Sequence, residues 1–209
     1  DRRILGGCSA FITLSDHMRA QALALCPDAA SKHRKIPGGV DIDRFKPAVD
    51  KMAVRRQLGL PEDKILLLTV RRLATRMGLE NLVEAVRTVE RERDDVMLLI
   101  GGRGEIEEQL RRQIEESGLE RTALAGYIAY DRELPLYYQA SDLFVMPSVT
   151  LEGFGLSTAE SLACGTPVLG TPTGGTPEIL REEFADYILP GVSPADLAAG
   201  ILGKLDEVR

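Results

Sequence analysis

Two carboxylates, Glu152 and Glu160, bracket the turn Gly153-Phe154-Gly155. Carboxylates accept hydrogen bonds from paired hydroxyls, which a ribose diol or a hexose offers. A glycine turn opening a helix presents bare backbone N–H groups and the positive end of a helix dipole to an anion. Together they suit a polar, phosphorylated ligand. Three cations, Arg71, Arg72 and Arg76, stand close together in sequence, with Arg72 and Arg76 as the pair expected to hold a diphosphate. A second glycine turn, Gly101-Gly102-Arg103-Gly104, matches a dinucleotide fingerprint only loosely, because Ile106 stands where the third glycine belongs. The chain has two histidines, His17 and His33, both in its first segment, so no Ser/His/Asp triad assembles. With no matched ligand cluster, the expected mechanism is metal-free and electrostatic.

These residues need a scaffold that collects loops along one edge. The spacing predicts strands over 64–70, 95–100, 122–128, 142–146 and 167–170, with a last one over 187–189. Residues 64–70 are almost wholly apolar, as in a strand covered on both faces. Helices are predicted between them. Leu79, Leu82, Val83 and Val86 make one amphipathic stripe, and Ile106, Leu110 and Ile114 another over 105–117, with Gly118 as its C-cap. Further helices are expected over 54–58, 134–140 and 155–164, and one opens at Ser193-Pro194. Strands alternating with helices predict a doubly wound, Rossmann-like α/β domain, whose ligands bind beyond the carboxyl ends of the strands. Those ends carry Arg71, Arg72 and Arg76, the 101–104 turn, Tyr127 and Ile128, residues 148–156, and residues 171–176.

Composition narrows the partners. With 26 Lys+Arg against 32 Asp+Glu, the net charge of −6 gives no footprint for nucleic acid. Three cysteines, Cys8, Cys26 and Cys164, fit neither a disulfide framework nor a metal spacing, which favours a reducing, cytoplasmic setting. No apolar run approaches the roughly twenty residues that span a bilayer. Ahead of the α/β pattern, a short apolar run over 8–14 leads to a helix capped at Ser15 and stopped by Pro27, and Pro37-Gly38-Gly39 interrupts regular structure. A boundary is expected there, dividing 1–36 from 37–209. The start at Asp1 reads as a cut into a longer protein.

The segments Glu152-Gly153-Phe154-Gly155-Leu156 through Glu160, Ala163-Cys164-Gly165-Thr166-Pro167-Val168 and Gly174-Gly175-Thr176-Pro177-Glu178-Ile179 resemble the signature of retaining glycosyltransferases of the family 4 type. The likeness extends to residues 140–148, to Val70-Arg71-Arg72-Leu73 and to residues 36–41. It implies the GT-B architecture, two Rossmann-like domains facing across a cleft. On that resemblance, 1–36 would be the end of the acceptor domain and 37–209 the nucleotide-sugar-binding C-terminal domain. Its partners would be a UDP-, GDP- or ADP-sugar and its own acceptor domain, through which peripheral membrane contact can occur in glycan biosynthesis; no cofactor is implied. The roles carried over put Arg72 on the donor diphosphate, Glu152 with the Gly153, Phe154, Gly155 and Leu156 backbone on sugar and phosphates, Glu160 on the ribose hydroxyls, and Tyr127 and Ile128 around the base. Where the family has Lys-Gly after the first strand, this chain has Met77-Gly78, which leaves Arg76 as the second cation. Glu152 is read as orienting the sugar rather than attacking it. The implied activity is hexosyl transfer with retention, of which this fragment would perform little alone. The alternatives are a GT-B epimerase or phosphorylase and a non-catalytic nucleotide-binding module.

Overall fold

The computed structural model describes residues 1–208. Helix α1 (Arg2–Gly7) precedes strand β1 (Phe11–Thr13), helix α2 (Asp16–Leu25) and strand β2 (His33–Lys35). Strands β1 and β2 pair in parallel as a separate two-stranded sheet. Ser15 caps α2, its hydroxyl accepting from the Met18 amide at 3.1 Å. The sequence reading had no counterpart for α1 or β2, which are only six and three residues long.

The main body runs α3 (Lys51–Leu58), β3 (Ile65–Val70), α4 (Leu79–Glu92), β4 (Val96–Gly101), α5 (Glu107–Glu116), β5 (Thr122–Gly126), α6 (Leu134–Ala140), β6 (Leu143–Met146), α7 (Leu156–Ala163), β7 (Val168–Gly170), α8 (Thr176–Leu180) and α9 (Pro194–Lys204). Its strands form one all-parallel sheet in the order β5-β4-β3-β6-β7. Period-two alternation splits each strand between two cores. Ile65 and Leu67 pack under α4, α5 and α9, whereas Leu66 and Leu68 pack with Tyr138, Phe144 and Leu180 on the opposite face. Leu79, Leu82, Val83 and Val86, the stripe read from spacing, are all fully buried. This is the expected doubly wound, Rossmann-like α/β fold.

Several boundaries differ. Residues 187–189 do not form a strand: a 3-10 turn occupies Ala185–Tyr187, and a single bridge joins Ile188 to Gly170, so the sheet has five strands. Strand β5 ends at Gly126, where positive φ breaks the ladder, leaving Tyr127 and Ile128 in the following loop. Helix α3 begins three residues earlier than spacing indicates, because Asp50 accepts from the Ala53 amide at 3.0 Å as its N-cap. Helix α5 begins at Glu107, and α9 opens with a full capping box from Ser193 and Asp196.

Beneath the sheet lies a buried ion pair. Arg55 is 1% exposed; it bonds the Asp142 carboxylate and donates to the carbonyls of Ala140 and Lys64, each at 2.8 Å. Asp142 also accepts from the Leu66 amide at 2.7 Å. These contacts tie α3 to the amino ends of β3 and β6, away from the loops that follow those strands.

Candidate functional site

The chain winds outward from β3 to β5 and then returns to β6 on the other side of β3. A crevice opens where the order reverses, between the loops after β3 and β6. The first loop carries Arg71, Arg72 and Arg76, and the second carries Ser148 and Glu152.

Arg71 still follows the ladder, its amide donating to the Gly101 carbonyl at 3.0 Å. Strand parity therefore puts its side chain on the face of Leu67 and Thr69, pointing into the crevice rather than to solvent. There Nη2 donates to Glu152 Oε2 at 2.9 Å, and both side chains are largely buried. Ser148 Oγ donates to the same oxygen at 3.0 Å. Burial pushes the Arg71 guanidinium down from its usual value, against the pull of Glu152, and the neighbouring Arg76 charge adds to the lowering. Arg71 remains a cation, since arginine does not deprotonate in this range. Arg72 is exposed. Arg76 reaches the Leu151 carbonyl at 3.4 Å, and its own carbonyl receives the Val149 amide at 3.1 Å, strapping the two loops together.

Glycines let these loops meet backbone to backbone. At Gly174, with φ +65°, a Cβ would stand 1.8 Å from the Glu152 carbonyl oxygen. At Gly102, with φ +129°, it would stand 1.8 Å from that of Arg71. No residue but glycine allows either approach. Gly155 opens α7 with φ +91° and no side-chain cap, so the helix amides face the crevice.

Two cavities adjoin across Arg71 and Arg72, which line both. The first, about 330 Å³, is walled by Glu152, Phe154, Gly155, Leu156 and Met77, with Leu14 from the β1–α2 turn. The second, about 400 Å³, is walled by Arg103, Tyr127, Ile128, Tyr130 and Leu134. Tyr127 is 63% exposed with the Arg103 guanidinium 5.7 Å over its ring, whereas Ile128 is buried. Gly153 faces the preceding segment: its carbonyl accepts from Ser15 Oγ at 2.5 Å.

Glu160 sits apart from Glu152. It is 6% exposed and lines neither cavity; Tyr130 donates to Oε1 at 3.0 Å and Tyr138 to Oε2 at 3.2 Å. Burial raises its pKa, and the two hydroxyl bonds offset only part of that. The two carboxylates that bracket the turn thus have different partners and different access to the crevice. Glu152 is bound into the crevice by a cation, and Glu160 lies under two phenols. Among the described residues, no group of three His, Cys, Asp or Glu side chains could hold a metal, and no helix is long and apolar enough to cross a membrane.

Residues 50–207 match the family described as glycosyl transferases group 1. The chain belongs to that family. It is 32% identical, over its whole length and 56% of the relative's, to the GDP-mannose-dependent alpha-(1-6)-phosphatidylinositol monomannoside mannosyltransferase of Mycolicibacterium smegmatis. Over 81% of its length and 39% of the relative's, it is 34% identical to the D-inositol 3-phosphate glycosyltransferase of Geodermatophilus obscurus. Among solved structures, sucrose-phosphate synthase from Thermosynechococcus elongatus superposes with a TM-score of 0.85 at 30% identity, covering 99% of this chain and 51% of that one. Anabaena HepE in complex with UDP and glucose shares the fold, with a TM-score of 0.85 at 24% identity over 98% of this chain and 55% of that one. The chain thus spans about half the length of the curated relatives it matches.

In this member of the group 1 family, sequence reasoning singled out Arg72, Arg76, Glu152, the 153–156 turn, Tyr127 and Ile128, and the fold brings all of them to one edge. It placed Arg71 and Ser148 at the strand ends without a role of their own, and did not reach Tyr130 or Leu14. Strand parity could have given Arg71 its role; nothing in the local pattern announces Tyr130 or Leu14, which arrive through tertiary packing.

Proposed function

We propose that this chain is the nucleotide-sugar-binding C-terminal domain of a retaining glycosyltransferase of the family 4 type, with residues 1–36 the end of its acceptor domain. One observation carries the reading: two cavities adjoin at the switch crevice and share Arg71 and Arg72. A nucleoside diphosphate sugar fits that division, with the base beside Tyr127 and Ile128, the sugar beside Glu152 and the 153–156 turn, and the diphosphate between them.

In this reading the charge developing on the leaving diphosphate is met by Arg72 and the α7 amides, which already line the crevice, and by Arg76 once it leaves the Leu151 carbonyl. No metal or other cofactor is called for. Glu152 Oε2 is already committed to Arg71 and Ser148. A carboxylate so neutralised is a poor nucleophile, which supports an orienting role toward the sugar hydroxyls. Glu160 takes the ribose diol. Transfer then requires the acceptor half to close over the sugar, so this fragment would turn over little by itself. The free thiols of Cys26 and Cys164, both buried, accord with a reducing, cytoplasmic setting.

Calorimetric titration with GDP, UDP and ADP tests the reading. The GDP-mannose-dependent relatives and the UDP-bound neighbour make GDP and UDP the first pair to compare. Binding of at least one at submillimolar concentration, weakened by Arg72→Ala, is expected. No binding of any at millimolar concentration rejects a donor domain.

A further inference from the structure

The Tyr130 contact with Glu160 lies at the border of the second cavity, and its geometry reaches beyond the roles assigned above. Glu160 is almost fully enclosed and both of its oxygens are taken. The two phenols differ in freedom. Tyr138 is completely buried, its ring 5.3 Å from Phe144 and 6.1 Å from Phe45. Tyr130 is 48% exposed and walls the cavity that Glu160 does not reach. Its ring rests on Phe45 at 5.6 Å and under the Arg44 guanidinium at 5.7 Å, and Arg44 is itself held by Asp131 at 3.0 Å. The hydroxyl of Tyr130 thus stands on the oxygen that a cavity ligand would need.

We infer that Tyr130 is a shutter over Glu160, and that the vicinal diol of the bound nucleoside displaces its hydroxyl from Oε1. This rests on the donor-site reading. Displacement exchanges one O–H donor for another, so a ribose hydroxyl restores what the phenol gives up. A ligand without that hydroxyl would strand a buried carboxylate oxygen, a cost well above that of an ordinary lost bond. Such a ligand leaves the shutter closed and binds without using Glu160. The phenol therefore makes Tyr130 a specificity-determining residue, favouring a nucleoside that brings a ribose hydroxyl to Oε1.

The test compares GDP, UDP and ADP with their 2′,3′-dideoxy counterparts on the wild-type chain and on Tyr130→Phe. Removing the hydroxyl leaves Oε1 unoccupied before binding. The ribonucleotide should then bind roughly fivefold tighter, the factor for about 1 kcal/mol of hydrogen bond, while the dideoxy form is unchanged. Arg44→Ala, which frees the ring without touching the hydroxyl, should shift the ribonucleotide the same way by a smaller factor. It serves as the test should Tyr130→Phe not fold. Ribonucleotide affinity that is unchanged or weaker in Tyr130→Phe, or equal tightening of both forms, overturns the shutter and leaves the donor domain standing. If neither form binds to the wild-type chain, both fall.

Discussion

At the scale of single residues, Arg71 and Arg72 are neighbours with opposite situations. Arg71 is enclosed and paired to Glu152, whereas Arg72 is exposed and lines both cavities. Deleting Arg71 abandons a buried carboxylate, so Arg71→Ala should cost about 3 kcal/mol of stability along with nucleotide affinity. Arg72→Ala should leave the melting temperature nearly unmoved and weaken nucleoside diphosphate binding roughly tenfold, as for one lost charge-assisted contact. Thermal melts beside calorimetry separate the two; equal destabilisation by both would contradict the parity argument. Glu160 supplies a pH signature. Its pKa is raised in the folded chain, so the fold binds its proton more tightly than the unfolded chain does. Stability must therefore decline as pH rises from the ordinary carboxylate range through the raised value, and stay level above it. Glu160→Gln, whose carbonyl can accept from one phenol while its NH2 donates to the oxygen of the other, should remove that decline and be the more stable form at neutral pH. Denaturant midpoints across pH for both chains check this, and parallel curves would refute it.

At the scale of elements, the site depends on turns that touch main chain to main chain. Gly174 and Gly165 both have positive φ, +65° and +80°, but their surroundings differ. A Cβ at Gly174 would collide with the Glu152 carbonyl, whereas at Gly165 it would meet only the Pro47 ring at 3.4 Å. Gly165→Ala should thus cost only the conformational strain, about 1 kcal/mol. Gly174→Ala should cost more and also lower nucleotide affinity, because the 152–155 loop must move. Titrating both variants decides it, and undiminished binding by Gly174→Ala would dissociate that loop from the site. The same contrast explains what was legible beforehand. The apolar run of β3 and the stripe of α4 depend on local spacing and were read almost to the residue. The 153–156 turn was equally plain, since its glycines have few other uses. Residues 187–189 read as strand because Tyr187, Ile188 and Leu189 are apolar in a row, yet only the single bridge from Ile188 to Gly170 joins them to β7. The shielding of Glu160 by Tyr130 was hidden for a similar reason: thirty sequence positions separate them, and only the packing of α6 on α7 brings them together.

At the scale of the molecule, residues 1–36 and the main body differ in how they are stabilised. The main body carries two extensive cores and the Arg55–Asp142 pair, while α2 has no buried residue and the β1–β2 sheet is only two strands wide. A sheet that small is marginal without support. Its support comes from the site edge. Glu178 in α8 accepts from the Asp16 and His17 amides at 2.9 and 2.8 Å and meets Lys35 at 3.2 Å, beside the Ser15 bond to Gly153. Its partial burial pushes the Glu178 carboxyl up, but these amides and Lys35 outweigh that and hold it below the usual range. Meanwhile Ile4, Ile12, Leu25 and Ile36 are each more than half exposed. Under the proposed boundary, these exposed apolar side chains belong against the rest of an acceptor domain. The 209-residue chain should consequently self-associate as concentration rises, and a 37–209 chain should stay monomeric with a cooperative melt. Its nucleotide affinity should fall within about threefold of the longer chain, since Leu14 is the one cavity-lining residue removed and burying one such side chain contributes on the order of 1 kcal/mol. Light scattering over a concentration series, with a titration of each chain, tests this. A 37–209 chain without a cooperative melt would mean that residues 1–36 complete the fold rather than begin its neighbour.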